Sequence, residues 1–243
     1  MNRDNRITGA IFDCDGTLLD SLNAWQGLEG ELSQAVRVKV TPEERAQFAT
    51  FTIPEVARYF HEHFGLFSNP DAVIRFIDDY MMEYYSHQAQ ALPGVVSFLE
   101  TCASADVLMC VVSSSAQRYL QAGLKSAGIA DYFSHIFSVE DIDSTKREPA
   151  IFEHAQTALG TERTTTWGID DSLYALETLG SAGFPTIGIG ESGSEEAFAE
   201  IRKASIFAVN RLDELSIHEG RLFPVDQCFP TKLAGHHQIN SLL

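Results

Sequence analysis

The sequence predicts an α/β protein in which a parallel sheet, with helices on both faces, forms a core that carries an inserted all-helical cap. Short apolar runs recur along the chain and end in Asp, Ser, Asn or Gly, as expected of strands buried on both faces. Helical patterns separate these runs, and such alternation is typical of parallel sheets. One long stretch near the N-terminus has helical patterns only, which indicates the insertion.

The predicted strands are short apolar segments that run into polar or glycine residues. They are residues 7–12, 107–112, 165–169, 186–189 and 205–209. The first runs into Asp13, the second into Ser113 and the third into Asp170. Open α/β sheets place their ligands outside the carboxyl ends of the strands, so these three positions are candidates for a functional site.

The segment 20–92 differs from the rest of the chain because it contains no convincing strand. Apolar residues recur there at helical spacing, and residues 52–55 form a capping box with proline in the first turn. The pattern predicts three parts. They are a Rossmann-like core at 1–19 and 93–215, a helical cap at 20–92, and a C-terminal tail at 216–243 for which the sequence indicates no role.

The charge balance is strongly acidic and restricts the possible partners. Lys and Arg together number 17 against 34 for Asp and Glu, so the formal net charge is -17. Such a field repels nucleic acid backbones and anionic membrane surfaces, so we expect neither as a partner. A small anionic substrate remains compatible with this charge if a local cation offsets the field.

The cysteines and the apolar stretches indicate a cytoplasmic protein. The four cysteines include no CxxC pair and no spacing typical of zinc sites, so we expect reduced thiols. No apolar stretch approaches the ~20 residues of a membrane-spanning helix. The apolar run before Asp13 is also too short for a secretory signal.

The loop Asp13-Cys14-Asp15-Gly16-Thr17 carries two carboxylates close together. An extended backbone directs side chains two residues apart to the same face, so both carboxylates would point into one cavity. Like charges this close raise the pKa of one group unless a cation lies between them, and Mg²⁺ is a hard cation that prefers oxygen ligands. An Asp-rich turn with local hydrogen bonds is the competing interpretation, and the loop alone favours neither.

Further polar positions add to the pattern, each with a structural alternative. Ser113 would either donate to a phosphoryl oxygen or cap the next helix. Lys146 would either supply a positive charge to the site or lie in solvent. Asp170 and Asp171 are adjacent carboxylates at a strand end, which indicates metal binding, although helix capping would explain one of them. The order of these residues along the chain favours the functional interpretation.

The segments DCDGTLLDS, VVSSS, TKREP and GIDDS, in this order, resemble the four motifs of the haloacid dehalogenase superfamily. The resemblance covers residues 7 to 215 and points to the phosphatase branch, whose β-phosphoglucomutase-like members carry a helical C1-type cap between the first two motifs. It implies a hydrolase that uses Mg²⁺ and forms an aspartyl-phosphate intermediate on Asp13. The expected partner is a small phosphorylated metabolite, and neither its identity nor the oligomeric state follows from the sequence.

The resemblance also implies a role for each matching residue. The expected catalytic residues are Asp13 as nucleophile, Asp15 as general acid and base, Ser113 as a phosphoryl ligand and Lys146 as the balancing charge. The expected ligands of Mg²⁺ are Asp13, the carbonyl oxygen of Asp15, Asp171 and Asp170. The expected substrate contacts are Ser114 and Trp25. Arg147 stands where relatives commonly have proline, which removes no catalytic group.

Two other functions stay open. A sugar phosphomutase of the β-phosphoglucomutase type would need a cap histidine shortly after the first motif, and Trp25 lies near that position instead. A non-catalytic protein that binds a phosphorylated ligand would not need the full set of catalytic groups. In the cap, Trp25, Phe51 and Arg58 would contact the substrate, or the two aromatic residues would only pack the cap helices together.

Overall fold

The structure is a computed structural model, and it describes residues 5–41, 44, 52–142, 144–190 and 194–228. The strands of its central sheet are β1 (Gly9–Phe12), β2 (Leu108–Ser113), β3 (His135–Ser138), β4 (Thr166–Asp170), β5 (Thr186–Ile189) and β6 (Phe207–Val209). They lie in the order β3-β2-β1-β4-β5-β6. All neighbouring strands run parallel, which confirms the predicted type of sheet.

The register of the sheet aligns the ends of its central strands. Phe12, the last residue of β1, pairs with Val111 of β2 on one side and with Ile169 of β4 on the other. The residues that follow these positions therefore meet at one edge of the sheet. Strand β1 is buried along its whole length, as expected of a central strand that is covered on both faces.

Helices of the cap precede those that pack on the sheet. The cap helices whose bounds lie within the described residues are α1 (Leu22–Val36), α2 (Ile53–Phe64) and α3 (Pro70–His87). The following helices are α4 (Val95–Ser104), α5 (Gln117–Ser126), α6 (Val139–Ile142), α7 (Pro149–Leu159), α8 (Leu173–Ser181), α9 (Glu195–Ala204) and α10 (Val225–Cys228). The described residues between Leu22 and His87 include no strand, in agreement with a helical cap.

Alternate residues of β1 pack into two separate hydrophobic clusters. Ile11 faces the side covered by α7 and α8, where it joins Ile151 and Ala175. Phe12 faces the opposite side, where its ring meets that of Phe98 in α4 edge-to-face with 6.3 Å between the centroids. This alternation follows from the two-residue period of a strand, so helices are needed on both faces of the sheet.

The cap helices begin at strong local signals. The main-chain N–H of Thr52 donates to Glu55 Oε2 at 2.7 Å, as the predicted capping box at the start of α2 requires. The side-chain oxygen of Asn69 accepts from the main-chain N–H of Ala72 at 2.9 Å and caps α3. These hydrogen bonds satisfy N–H groups that have no partner inside the helices.

Cap helix α3 lies against core helix α5 at close range. A Cβ atom on Gly123 of α5 would lie 2.7 Å from the ring of Tyr85 in α3, so the approach requires glycine at that position. The Tyr85 ring also stacks on Tyr119 of α5, with centroids 5.5 Å apart. Arg118 of α5 forms an ion pair with Asp78 of α3. These contacts hold α3 on the core.

The sequence analysis predicted neither β3 nor structure in the tail. Strand β3 lies at the edge of the sheet and only its last residue is fully buried, so it lacks a continuous apolar run. Residues near the start of the predicted tail form an antiparallel hairpin of β7 (Leu215–His218) and β8 (Arg221–Pro224). The main-chain N–H of Leu222 donates to the Asn5 carbonyl at 2.9 Å and ties the hairpin to the start of the chain. Residues 229–243 lie outside the described residues.

The thiols that the structure describes are buried and unpaired. They belong to Cys14, Cys102 and Cys110. Burial raises the pKa of Cys102 to about 12, so this thiol is protonated at neutral pH and acts as a packing group. Among the described residues, no helix has the length and apolar character that crossing a lipid bilayer requires.

Helix α4 offers a test of the packing against the sheet. Leu99 is fully buried, whereas 42% of Val96 on the same helix is exposed. We expect Leu99→Ala to lower the free energy of unfolding by about 2–5 kcal/mol, because it removes buried contacts and leaves a cavity. Val96→Ala should change it by no more than about 0.5 kcal/mol. Urea unfolding followed by circular dichroism measures both, and equal losses would contradict this orientation of α4.

Candidate active site

The centre of the site is a buried ion pair at the carboxyl edge of the sheet. Asp13 follows β1, and its main-chain N–H donates to the Ile169 carbonyl at 2.9 Å. Lys146 Nζ donates to Asp13 Oδ1 and, at 2.8 Å, to Oδ2 of Asp170 at the end of β4. Only 3% of Lys146 is exposed, so this lysine is not in solvent. It joins the ends of two neighbouring strands to the loop before α7.

Three carboxylates cluster around this ion pair. The side chains of Asp13, Asp170 and Asp171 each offer an oxygen, and these oxygens lie within 4.8 Å of one another. Asp170 also accepts from the main-chain N–H of Ser172 at 2.9 Å, so it stabilises the turn before α8 as well. A cluster of carboxylate oxygens in this arrangement fits a hard divalent cation such as Mg²⁺.

The charges of the cluster are not balanced by Lys146 alone. Burial raises the pKa of Asp13 well above its usual range, although Lys146 acts in the opposite direction. Burial, with the neighbouring Asp170, raises the pKa of Asp171 to about 6. For Lys146, burial alone would lower the pKa, but the two carboxylates overcome that effect and raise it. The ammonium group is therefore charged, and the remaining negative charge favours either bound protons or a bound cation.

Asp15 lies beside this cluster and is surrounded by hydroxyl groups. Its Oδ1 accepts from Ser21 Oγ at 2.5 Å and from the hydroxyl of Tyr85. Its Oδ2 accepts from Ser115 Oγ at 2.5 Å and lies 3.4 Å from Ser113 Oγ. Burial raises the pKa of Tyr85 far above its usual range, so its hydroxyl stays protonated and donates. The cap thus contributes directly to the surroundings of Asp15.

The turn after Asp15 depends on glycine. Gly16 has φ +85, in the left-handed region, and a Cβ atom there would lie 2.6 Å from Asp171 Oδ2. Both the backbone conformation and the close approach exclude a side chain. Gly16 therefore allows the loop after β1 to reach the carboxylate that follows β4.

These groups open into a cavity of about 550 Å³. Predicted site residues that line it are Asp13, Asp15, Trp25, Ser113, Ser114, Lys146 and Asp171. Asp170 does not line the cavity, but it accepts a hydrogen bond from Lys146, which does. Residues that the sequence analysis did not select also line it: Leu22, Thr52, Ile53, Pro54, Ser115, Val139, Glu140, Ser172 and Tyr174.

The cap residues considered for substrate contact have different positions. Trp25 lines the cavity and also packs, since its ring meets Tyr119 edge-to-face at 6.4 Å between centroids. Arg58 is exposed and is not among the cavity residues. Phe51 lies outside the described residues.

Two partners of Asp15 were not predicted from the sequence. Ser21 lies at the junction with the cap and Tyr85 lies near the end of α3, in a helical apolar stripe typical of core packing. The helical spacing separates Tyr85, as a buried position, from the neighbouring Tyr84, but only folding shows that the Tyr85 hydroxyl contacts Asp15. The run of serines at Ser113–Ser115 is evident in the sequence. The run alone does not show whether Ser115 contacts Asp15 or caps the next helix.

The chain belongs to the haloacid dehalogenase-like hydrolases, whose family model matches residues 10–189. Among curated proteins it is 24% identical to (S)-2-haloacid dehalogenase 4A of Burkholderia cepacia over 86% of this chain and 93% of that protein. It is also 24% identical to 6-phosphogluconate phosphatase of Escherichia coli K12, over 74% of this chain and 80% of the relative. The family model therefore places this chain in a family of hydrolases.

Solved structures share the fold. A β-phosphoglucomutase from Clostridium difficile matches with a TM-score of 0.67 and 20% identity, over 87% of this chain and 94% of the other. YfnB from Bacillus subtilis, solved bound to magnesium, matches with a TM-score of 0.69 and 18% identity, over 86% and 96% of the two chains. At these identities, the comparison shows the shared architecture of core and helical cap.

Alanine substitutions at Gly16 and Gly128 form a matched pair of variants. Both glycines have positive φ, but a Cβ atom on Gly128 would meet nothing within 4 Å. We expect Gly128→Ala to lower the free energy of unfolding by roughly 1 kcal/mol, from backbone strain alone. Gly16→Ala should cost about 3 kcal/mol, because the new methyl group also collides with Asp171. Denaturant unfolding of the two variants measures the difference, and equal costs would argue against the close approach at Gly16.

The raised pKa of Asp171 predicts a pH dependence of the metal-free protein. Between about pH 4, where unfolded Asp loses its proton, and about pH 6, the folded state binds more protons, so stability falls as the pH rises. Relative to Asp171→Asn, the wild type should lose roughly 2 kcal/mol of unfolding free energy from pH 4 to pH 7. Urea unfolding in EDTA gives both profiles. Parallel profiles would show that Asp171 has an ordinary pKa.

Proposed function

We propose that the chain is a magnesium-dependent phosphatase that hydrolyses a small phosphomonoester through an aspartyl-phosphate intermediate on Asp13. The observation that carries the proposal is the position of Asp13, which contacts Lys146, belongs to the carboxylate cluster and lines the same cavity as Asp15. A nucleophile, an acid and a cation site thus face one space. This combination suits transfer of a phosphoryl group from an oxygen leaving group.

The carboxylate cluster would hold the metal ion. Asp13 and Asp171 would be ligands, with Asp170 close enough to contribute and the carbonyl oxygen of Asp15 as a further predicted ligand. Bound Mg²⁺ would neutralise phosphoryl charge and align the group for in-line attack. Lys146, whose ammonium group contacts Asp13 and Asp170, would offset charge on the nucleophile and the transferring group.

The reaction would proceed in two displacements. In the first, a carboxylate oxygen of Asp13 forms a bond to phosphorus, the bond from phosphorus to the leaving oxygen breaks, and Asp15 gives its proton to that oxygen. In the second, Asp15 takes a proton from water as the water oxygen attacks phosphorus, which releases inorganic phosphate and restores Asp13. Ser113 and Ser114, at the end of β2, would donate hydrogen bonds to phosphoryl oxygens.

Asp15 favours phosphatase over dehalogenase activity. A halide leaves without a proton, whereas an alkoxide leaving group needs one, so a carboxylic acid beside the nucleophile suits an oxygen ester. Asp15 lines the cavity together with Asp13, within reach of a group bound between them. The phosphatase among the relatives supports the same choice.

The cavity also favours hydrolysis over a phosphomutase reaction. A mutase must hold a second phosphate in its bisphosphate intermediate. Among the described residues that line the cavity, Lys146 is the cation, and it is already paired with two carboxylates. The cap side of the cavity presents Leu22, Trp25 and Ile53 instead. A leaving group without a second phosphate fits these surroundings better. The complete set of catalytic groups argues against a non-catalytic binding protein.

Asp13 and Asp131 give the decisive test. We expect purified protein with Mg²⁺ to release phosphate from members of a panel of phosphomonoesters, and Asp13→Asn to lower turnover by on the order of 10³-fold or more, because the nucleophile is lost. Asp131→Asn, at an exposed position, should retain full activity. Phosphate release with Mg²⁺ and with EDTA measures both effects.

Two results would contradict the proposal. Turnover that survives in Asp13→Asn would exclude the covalent mechanism. A folded wild type that turns over no phosphomonoester, with Mg²⁺ bound, would favour a protein that only binds a phosphorylated ligand. The panel should include sugar phosphates and nucleotides, with and without a second anionic group, so that the ranking tests the inferred leaving group.

A further inference from the structure

We propose that Tyr85 of the cap is a positioning residue for Asp15, which holds carboxylate oxygen Oδ1 so that Oδ2 is the oxygen that exchanges a proton with the substrate. The inference rests on the proposed phosphatase function and adds a residue of the cap to its chemistry. Tyr85 contacts Asp15 across the boundary between cap and core.

The two oxygens of Asp15 have different surroundings. Oδ1 accepts from the Tyr85 hydroxyl and from Ser21, and neither of these residues lines the cavity. Oδ2 accepts from Ser115 and lies near Ser113, and both of these serines line the cavity. Oδ1 therefore lies on the closed side of the carboxylate and Oδ2 on the side that is open to a substrate.

The Tyr85 donor on the Oδ1 side differs in mobility from the two serines on the Oδ2 side. A carboxylate has about four positions at which it accepts hydrogen bonds, and four hydroxyl groups surround Asp15. Serine hydroxyl groups rotate freely, so Ser113 and Ser115 can turn toward a phosphoryl oxygen and release Oδ2. Tyr85 is fully buried, and its ring is stacked on Tyr119. Its donation to Oδ1 therefore persists when the substrate binds.

The direction of the Tyr85 hydrogen bond is fixed by Trp25. The indole Nε1–H of Trp25 lies 3.0 Å from the Tyr85 hydroxyl oxygen, and indole can only donate. The Tyr85 oxygen therefore accepts from Trp25, and its single proton points to Asp15 Oδ1. With Oδ1 occupied by this donor and by Ser21, the transferable proton of Asp15 belongs on Oδ2. The chain from Trp25 through Tyr85 to Asp15 thus orients the acid toward the cavity.

Tyr85→Phe separates this effect from packing, because it keeps the stacked ring and removes only the hydroxyl group. The matched control is Tyr84→Phe on the same helix, whose hydroxyl donates to the main-chain carbonyl of Asp20 at 2.7 Å and does not contact Asp15. The substrates are an alkyl phosphate turned over by the wild type, which needs a proton on its leaving oxygen, and 4-nitrophenyl phosphate, which needs it far less. The measured quantity is kcat/KM, which reports the step that expels the leaving group.

We expect Tyr85→Phe to lower kcat/KM for the alkyl phosphate by about tenfold and for 4-nitrophenyl phosphate by less than about twofold, because a misdirected acid affects only the poor leaving group. Tyr84→Phe should leave both values within about twofold of the wild type. Ser21→Ala removes the other donor to Oδ1 and should show the same selective loss. It therefore tests the proposal independently if Tyr85→Phe does not fold, which circular dichroism establishes.

The outcomes are distinguishable. A selective loss for the alkyl phosphate in Tyr85→Phe, or in Ser21→Ala where Tyr85→Phe does not fold, but not in Tyr84→Phe, supports the proposal. Equal losses for both substrates, or no loss in a folded Tyr85→Phe, would overturn it while the wild-type activity leaves the phosphatase function intact. Absence of magnesium-dependent turnover in the wild type itself would overturn the proposed function and this inference together.

Discussion

The buried ion pair of Lys146 with Asp13 and Asp170 is the interaction on which the rest of the site depends. Charges in the interior cost free energy unless they are paired and hydrogen-bonded, and Lys146 is 3% exposed. Its ammonium group contacts the ends of two neighbouring strands at once. The position of the loop before α7 is therefore coupled to the register of β1 and β4. Removing Lys146 would leave the buried carboxylates without their compensating charge.

The charges around this ion pair also favour the binding of a cation. One ammonium group faces three clustered carboxylates, so an excess of negative charge remains at the edge of the sheet. The chain as a whole has a formal net charge of -17, which opposes the approach of any phosphate dianion. A divalent cation in the cluster would resolve both problems at one position, since it would bind the carboxylates and attract the phosphate. The local arrangement thus compensates for the global charge.

The cap both lines the cavity and supplies a hydrogen-bond donor to Asp15. Its helix α3 approaches core helix α5 closely enough to require Gly123, and this approach places the Tyr85 hydroxyl on Asp15. Trp25 lies both in the wall of the cavity and behind Tyr85. Contact between cap and core therefore determines the surroundings of the acid.

The sequence by itself determined the parallel sheet, the helical cap and most of the residues at the strand ends, because apolar period and glycine-containing acidic turns are local signals. The edge strand β3 and the hairpin of β7 and β8 were not predicted from the sequence, since their stability comes from neighbouring segments rather than from an apolar run. Only the tertiary structure showed that the Tyr85 hydroxyl contacts Asp15 and that Lys146 is buried between two carboxylates. These facts depend on distances between segments remote in sequence, which no local pattern encodes.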